Sequence, residues 1–273
     1  MPTVAYLGPE HTNTHLAAVK RFGRGSRYVH APTVDDVFHL VERRRVDYGV
    51  VPIENSLEGT VTHTLDRFID FVDTPVNIQG EIEQPIEHCL IVAKGVKPSD
   101  VLLVFSHPQA LAQCHRWLAQ HLSRAKLRET NSTADAVSHL LERKGAHAAI
   151  GRKELAEQWG LKAVPIPEQR DNKTRFLMLG LGDPKRGRKN KTSILFALKD
   201  APGALHDALV PFKHNHINLT KTESRPSKRK AWEYLFFIDI EGHESDAKVK
   251  RALKALKKST SLLRVLGSYP IAK

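Results

Sequence analysis

Two short polar stretches hold side chains suited to gripping a small anion: Glu54-Asn55-Ser56-Leu57-Glu58-Gly59-Thr60 and Asn131-Ser132-Thr133. The first lies between a strand-like run and a helix-like run, and the second reads as the cap of a helix. Capping leaves backbone N–H groups at the helix start for an anion, with the helix dipole behind them. Asn55 and Ser56 offer donors to a carboxylate, and equally suit ordinary turn hydrogen bonding. Two further polar loops, Gly8-Pro9 through Thr12-Asn13-Thr14 and Ser106-His107-Pro108-Gln109, precede helix-like runs in the same way. His11 and His15 stand four apart without an acidic partner at ligand spacing, so no metal site is expected. Cys89 and Cys114 form no CxxC pair and read as buried free thiols.

The elements that must position these loops alternate. Strands are expected at residues 4–7, 48–51, 87–93, 101–105 and 148–150, the second stopped by Pro52. Helices are expected at 15–22, 33–43, 110–122, 134–143 and 153–159. Strands alternating with helices imply an α/β fold with mostly parallel sheets. Ligands bind beyond the carboxyl ends of such strands, where the polar loops fall, so a cleft between two small α/β lobes is expected. Beyond a Gly-, Pro- and cation-rich linker at 180–192, the order changes. A strand at 192–198, a helix at 203–214 begun after residues 200–202, strands at 216–222 and 232–240, a basic amphipathic helix at 243–256 and a strand at 262–269 give βαββαβ, the ferredoxin-like split unit. A small sheet covered on one face suggests pairing with a second copy, hence a homodimer.

The 273 residues are 41% hydrophobic and 26% charged, which excludes a disordered or fibrous chain. The net charge of +12 sits almost entirely in the C-terminal part: residues 1–180 carry 22 Lys+Arg against 21 Asp+Glu, and residues 181–273 carry 20 against 9. No apolar run is long enough to span a membrane, and the first residues lack a signal-peptide shape, so a cytoplasmic protein without a membrane partner is expected. The basic runs at 185–191, 228–230 and 248–251 lack interleaved aromatics and read as solvated surface, so no nucleic-acid partner is expected. A two-lobed cleft also serves plain solute capture, which leaves a non-catalytic small-molecule-binding protein as a rival reading.

Several stretches resemble one enzyme family in order along nearly the whole chain. They are Ala5-Tyr-Leu-Gly-Pro-Glu10, Val51-Pro-Ile-Glu-Asn-Ser56 with Gly59, Ser106-His-Pro-Gln-Ala-Leu-Ala-Gln-Cys114, Ser132-Thr-Ala134 and Asn172-Lys-Thr-Arg-Phe176. In the C-terminal part they are Pro202-Gly-Ala-Leu205, Ile217-Asn-Leu-Thr-Lys221, Glu223-Ser-Arg-Pro226 and Phe236-Phe-Ile-Asp239 with Gly242-His243. The chain thus resembles monofunctional bacterial prephenate dehydratase, which departs from it in placing an aromatic residue where Asn13 stands. The resemblance implies a two-lobed, periplasmic-binding-protein-like catalytic domain over 1–180 and an ACT regulatory domain over 193–273. It implies conversion of prephenate to phenylpyruvate, water and CO2 without metal or organic cofactor, and arogenate is the alternative substrate.

By the same resemblance Thr174 is the donor to the departing hydroxyl, against the alternative that it only bonds its own loop. Glu54, Asn55, Ser56 and Thr60 line the pocket, and Ser132 and Thr133 meet the pyruvyl carboxylate. Arg175 either pairs with a substrate carboxylate or braces the structure by an internal salt bridge. Gly203, Ala204 and Leu205, with Asn218, Leu219, Glu223 and Ser224, receive L-phenylalanine as an allosteric inhibitor. A homodimer or homotetramer is implied.

Overall fold

The structure is a computed structural model that describes residues 1–273 apart from 71, 144, 169–170, 200, 229–231 and 273. Part of the basic run at 228–230, and the first residue of the turn expected before the 203–214 helix, lie outside the described residues. Lobe A comprises β1 (Thr3–Leu7), α1 (Asn13–Phe22), β2 (Arg27–Ala31), α2 (Val34–Glu42), β3 (Tyr48–Asn55), β4 (Gly59–Thr60), α3 (Thr62–Asp70) and β5 (Val76–Pro85). Lobe B comprises β6 (His88–Val92), β7 (Leu103–Ser106), α4 (Pro108–Gln113), α5 (His115–His121), β8 (Lys126–Glu129), α6 (Thr133–Leu141), β9 (His147–Gly151), α7 (Lys153–Gln158) and β10 (Lys162–Ile166). The chain then returns to lobe A as β11 (Lys173–Leu181). The C-terminal domain follows as β12 (Asn190–Leu198), α8 (Ala204–His214), β13 (Leu219–Pro226), β14 (Tyr234–Glu241), α9 (Ala247–Ser259) and β15 (Thr260–Pro270).

The sheets run β2-β1-β3-β11-β5, with β4 on β3, then β10-β6-β9-β7-β8 and β13-β14-β12-β15. The two lobes are α/β, but their sheets are mixed rather than mostly parallel. Strands β1, β2 and β3 are parallel, as are β7, β8 and β9, whereas β11 is antiparallel to β3 and β5, and β6 to β9 and β10. The antiparallel strands are those flanking the two crossings between lobes, where the chain leaves one sheet and later comes back. Strand β3 also continues through Pro52, contrary to the expected stop. Its carbonyl accepts the Thr64 hydroxyl at 2.6 Å, so this backbone edge faces α3, where a missing N–H costs the ladder nothing. The helix expected over 110–122 breaks at Cys114 into α4 and α5. Both cysteines are buried thiols.

The C-terminal domain is βαββαβ, with α8 and α9 covering one face of its sheet around Phe196, Phe212 and Ile238. The other face packs on lobe A. Leu195, Ala197, Leu235, Phe237, Leu266 and Tyr269 join one core with Phe38, Phe68, Ile78 and Leu177 of lobe A. A Cβ placed on Gly267 would collide with the Ile78 carbonyl, so glycine here permits close backbone approach of β15 to β5. Arg264 adds hydrogen bonds to the carbonyls of Val72, Thr74 and Val76 at 2.7, 2.8 and 2.8 Å. The 182–189 segment therefore joins two bodies that share a core.

Candidate active site

A cavity of about 380 Å³ opens between the lobes, lined by Thr174, Phe176 and Asn55 of lobe A, by Thr12 and Asn13 at the head of α1, and by His107, Asn131, Ser132 and Thr133 of lobe B. No Asp, Glu, Lys or Arg is among its described lining residues. Two helices of useful length, α1 and α6, start at this cleft. Thr12 caps α1 by accepting the His15 N–H at 3.3 Å, and Ser132 caps α6 by accepting the Asp135 N–H at 3.0 Å. Ser132 thus caps a helix, and it does so at the cleft, where both helix dipoles present positive ends. The Asn13 side-chain oxygen is buried there without a partner.

Thr174 and Asn55 are register partners in β11 and β3. Asn55 Oδ1 accepts the N–H groups of Leu57 and Glu58 at 3.0 and 3.2 Å, which fixes the orientation of the amide. Its Nδ2 must then face the other way, and it donates to Thr174 Oγ1 at 3.0 Å and Asn172 Oδ1 at 2.7 Å. With a donor on its oxygen, the Thr174 hydroxyl is polarised and directs its own hydrogen elsewhere. Asn172 Nδ2 donates to Gln113 Oε1 at 3.1 Å, and His88 Nε2 lies 2.8 Å from the same oxygen. An amide oxygen only accepts, so His88 carries its proton on Nε2, and its buried Nδ1 has no partner. Burial lowers the His88 pKa and keeps the ring neutral. A chain of neutral groups therefore runs from lobe B to the Thr174 hydroxyl.

Four of the residues expected to meet substrate lie elsewhere. Successive residues of a strand face opposite sides of the sheet, so Arg175 and Glu54, adjacent to Thr174 and Asn55, turn away from the cleft. They meet on the far face, Arg175 Nε on Glu54 Oε1 at 2.7 Å, where Arg175 also binds Glu81 and Asp239. Of the two alternatives for Arg175, the internal salt bridge is the one formed. Thr60 hydrogen-bonds Glu223 of the C-terminal domain at 2.8 Å. Ser56 closes a loop, donating to the Asp171 carbonyl at 3.2 Å and accepting the Lys173 N–H at 3.0 Å. Asn55, Ser132, Thr133 and Thr174 are the expected site residues that share the cleft.

The model of the prephenate dehydratase family matches residues 4–183, and that of the ACT domain matches residues 192–258. The chain belongs to the prephenate dehydratase family. A bifunctional chorismate mutase/prephenate dehydratase of Aquifex aeolicus is 47% identical over 98% of this chain and 74% of that protein. A prephenate dehydratase of Methanocaldococcus jannaschii is 42% identical over 88% of this chain and 86% of that protein. A solved structure of prephenate dehydratase from Arthrobacter aurescens in complex with L-Phe has a TM-score of 0.87 and 34% identity, over 98% of this chain and 89% of that one.

In the ACT domain, Gly203 precedes α8 with φ of 79°, a left-handed conformation that favours glycine, and Ala204 and Leu205 form the first turn. A Cβ on Gly203 would meet nothing within 4 Å, so a valine there acts through backbone strain rather than by filling a space. Asn218 leads into β13, which carries Leu219, Glu223 and Ser224 and pairs only with β14 among the described strands. Glu223 faces Thr60 of the catalytic domain, while Ser224 is exposed on the opposite side of the strand. The strand expected to stop at 222 thus continues through 223–226.

Sequence reasoning did not single out His88, Gln113 and Asn172 as a relay, because they come from three distant segments. Nor did it find Arg152, at the end of β9. This arginine is only 5% exposed, donates from Nη2 to the His11 carbonyl of the opposite lobe and has Nη1 buried without a partner. Among the described residues no carboxylate pairs with it, and burial brings its pKa down to about 10.

Proposed function

We propose that this protein is a prephenate dehydratase, converting prephenate to phenylpyruvate, CO2 and water, and that L-phenylalanine bound at the ACT domain inhibits it. The observation that carries the reading is the Asn55-polarised Thr174 hydroxyl inside a cleft formed at two helix starts, in a member of this family. Prephenate bears two carboxylates and a ring hydroxyl. The electron pair of the ring carbon–carboxylate bond moves into the ring as CO2 leaves, the ring becomes aromatic, and the hydroxyl departs with its bonding pair. That hydroxide takes up one proton to become water. Thr174 hydrogen-bonds the departing oxygen, and the proton that completes the water is replenished from solvent. Aromatisation drives the reaction, so the protein's task is orientation and placement of dipoles.

The α1 and α6 starts suit the substrate carboxylates, with Ser132 and Thr133 at the pyruvyl end. The test is incubation of purified protein with prephenate and, separately, with arogenate, watching for phenylpyruvate and phenylalanine. Turnover of prephenate, unaffected by EDTA, is expected; turnover of arogenate alone moves the substrate to the amino acid. Neither product, with retained binding of prephenate, would make the chain a solute binder.

Arg152 gives a second expected outcome. A guanidinium buried without a carboxylate costs stability, and that cost is offset when a dianion occupies the neighbouring cleft. Arg152→Met is expected to raise KM for prephenate by about tenfold, while the thermal midpoint stays level or rises. An unchanged KM would leave Arg152 as a tie between lobes.

We further propose a homodimer or homotetramer built on the ACT domain, whose β13 edge and exposed Leu205 and Tyr234 remain uncovered in one chain. The isolated domain would expose the face that packs on lobe A, so the whole chain is the material to test. Sedimentation at micromolar concentration should give a dimer or larger, and a monomer would remove the proposal. Among the described residues no helix is long and apolar enough to cross a membrane. A cytoplasmic location is the reading that fits a small-molecule biosynthetic enzyme.

A further inference from the structure

Arg175 stands at the centre of a charge cluster that the chemistry in the cleft does not use. The side chain is buried, with Nε on Glu54 at 2.7 Å and Nη1 on Glu81 at 2.9 Å and Asp239 at 2.7 Å. Lys191 binds Glu81 at 2.8 Å, and Lys221 binds Glu54 at 2.6 Å and the Thr60 hydroxyl at 2.7 Å. Thr60 in turn donates to Glu223 at 2.8 Å. Three cations thus face three carboxylates, and charge balances within the cluster. Half of it belongs to the ACT domain: Lys191 on β12, Lys221 on β13 and Asp239 on β14.

The cluster reaches the reacting group through the backbone. Thr174 with Asn55, and Arg175 with Glu54, are successive register pairs of β11 and β3. A shift of Arg175 or Glu54 on one face is therefore only one peptide bond removed from the Thr174–Asn55 pair on the other. A buried ion cluster does not deform gradually, because a group that loses its partner is left charged in a poorly solvated place, so partners change together. The ACT residue that touches this cluster from the regulatory side, Glu223, is a carboxylate held by a neutral hydroxyl. An amino acid's ammonium group is a stronger partner for it than Thr60. Binding that draws Glu223 away gives the ligand differential affinity for a second arrangement, which any population shift requires.

We propose that the Arg175 cluster positions Thr174 in response to the ACT domain: an amino acid that takes Glu223 frees Thr60, loosens Lys221 from Glu54 and redistributes Arg175 between Glu54 and Asp239. Arg175 is a positioning residue in this scheme and touches no substrate. The proposal rests on the reading of the chain as an L-phenylalanine-sensitive dehydratase.

The experiment uses the full-length protein with Asp239→Asn, Lys221→Met and both together. L-Phenylalanine affinity is measured by calorimetry, inhibition by prephenate turnover, and strand response by amide exchange over residues 173–176. Each single change is expected to raise the half-inhibiting concentration of L-phenylalanine at least tenfold while moving its calorimetric Kd less than threefold. The double change is expected to add little, since both act on one link. In wild type, L-phenylalanine should alter exchange at 173–176, and in the variants it should not. Inhibition and exchange responses equal to wild type overturn the proposal, as does loss of L-phenylalanine binding in parallel with inhibition. Wild type that binds L-phenylalanine and shows the exchange response, yet does not dehydrate prephenate, overturns the reaction assigned above and supports the link. Wild type that does not bind L-phenylalanine overturns the regulatory reading and this proposal together.

Discussion

Thr174→Val is expected to lower kcat by about 10² or more, within the usual range for a positioned proton donor. Valine keeps the volume and the branching that β11 favours, so the fold should tolerate it. Asn55 loses one acceptor but keeps the Asn172 side chain at 2.7 Å and the Lys173 carbonyl at 3.2 Å, so no buried donor is orphaned. What disappears is the hydroxyl aimed into the cleft. Because it acts on an oxygen that gains charge as it departs, the loss should fall on kcat and kcat/KM together, with KM little changed. Thr174→Ser restores the donor with one methyl less to hold its rotamer, and should recover much of the rate. Steady-state kinetics on the three proteins decides it: a valine variant as active as wild type assigns the departing hydroxyl to another donor.

The sequence motifs locate the Thr174 region but cannot divide it. Asn172-Lys-Thr-Arg-Phe176 and Glu54-Asn55-Ser56 are each continuous, yet in a strand neighbours face opposite ways. Which residue of each pair meets substrate depends on which sheet face holds the cleft, and that depends on the ACT sheet packing against the other face. The contact lies 64 residues along the chain for Arg175 and Asp239, with no local pattern to announce it. Helices with caps and clear apolar stripes, such as α1 and α2, are legible, because both signals are local. Strand β5 is not. Its apolar alternation slips at Gly80-Glu81-Ile82, where Glu81 is buried against Arg175 and Lys191, two residues beyond a bulge at Gln79 in β5 itself. Strand β8 shows no apolar face at all, since each of its residues is exposed.

The second large effect is expected at Arg175 and is one of stability. Burial alone would raise the pKa of Glu81, but Lys191 and Arg175 outweigh it and hold the carboxyl below the ordinary value; for Glu54, Arg175 and Lys221 do the same. Arg175→Met removes the shared cation and leaves three carboxylates against two lysines in the interface between the domains. Breaking a buried pair from one side costs about 3–5 kcal/mol, which for a chain of this length corresponds to a fall in thermal midpoint of the order of 10 °C. If that cost comes from orphaned carboxylates rather than from lost packing, adding Glu81→Gln and Asp239→Asn to Arg175→Met should recover part of it. The wild-type cluster also sets a pH window. A carboxyl whose folded pKa lies below its unfolded value stabilises the fold fully above the unfolded value, near 4.5, and loses that contribution as pH falls through the folded pKa. The cluster's contribution to the wild-type midpoint should therefore hold from neutrality to about pH 5 and drop below it, beneath any earlier loss from buried His88. In Glu81→Gln the starting midpoint should be lower and the acid drop shallower. Calorimetric scans of these proteins between neutral and acid pH provide the check. An Arg175→Met midpoint within 2 °C of wild type, or an acid drop equally steep in Glu81→Gln, would mean that the domains are held by the apolar contacts of Leu195, Phe237 and Tyr269 and that the charges add nothing measurable.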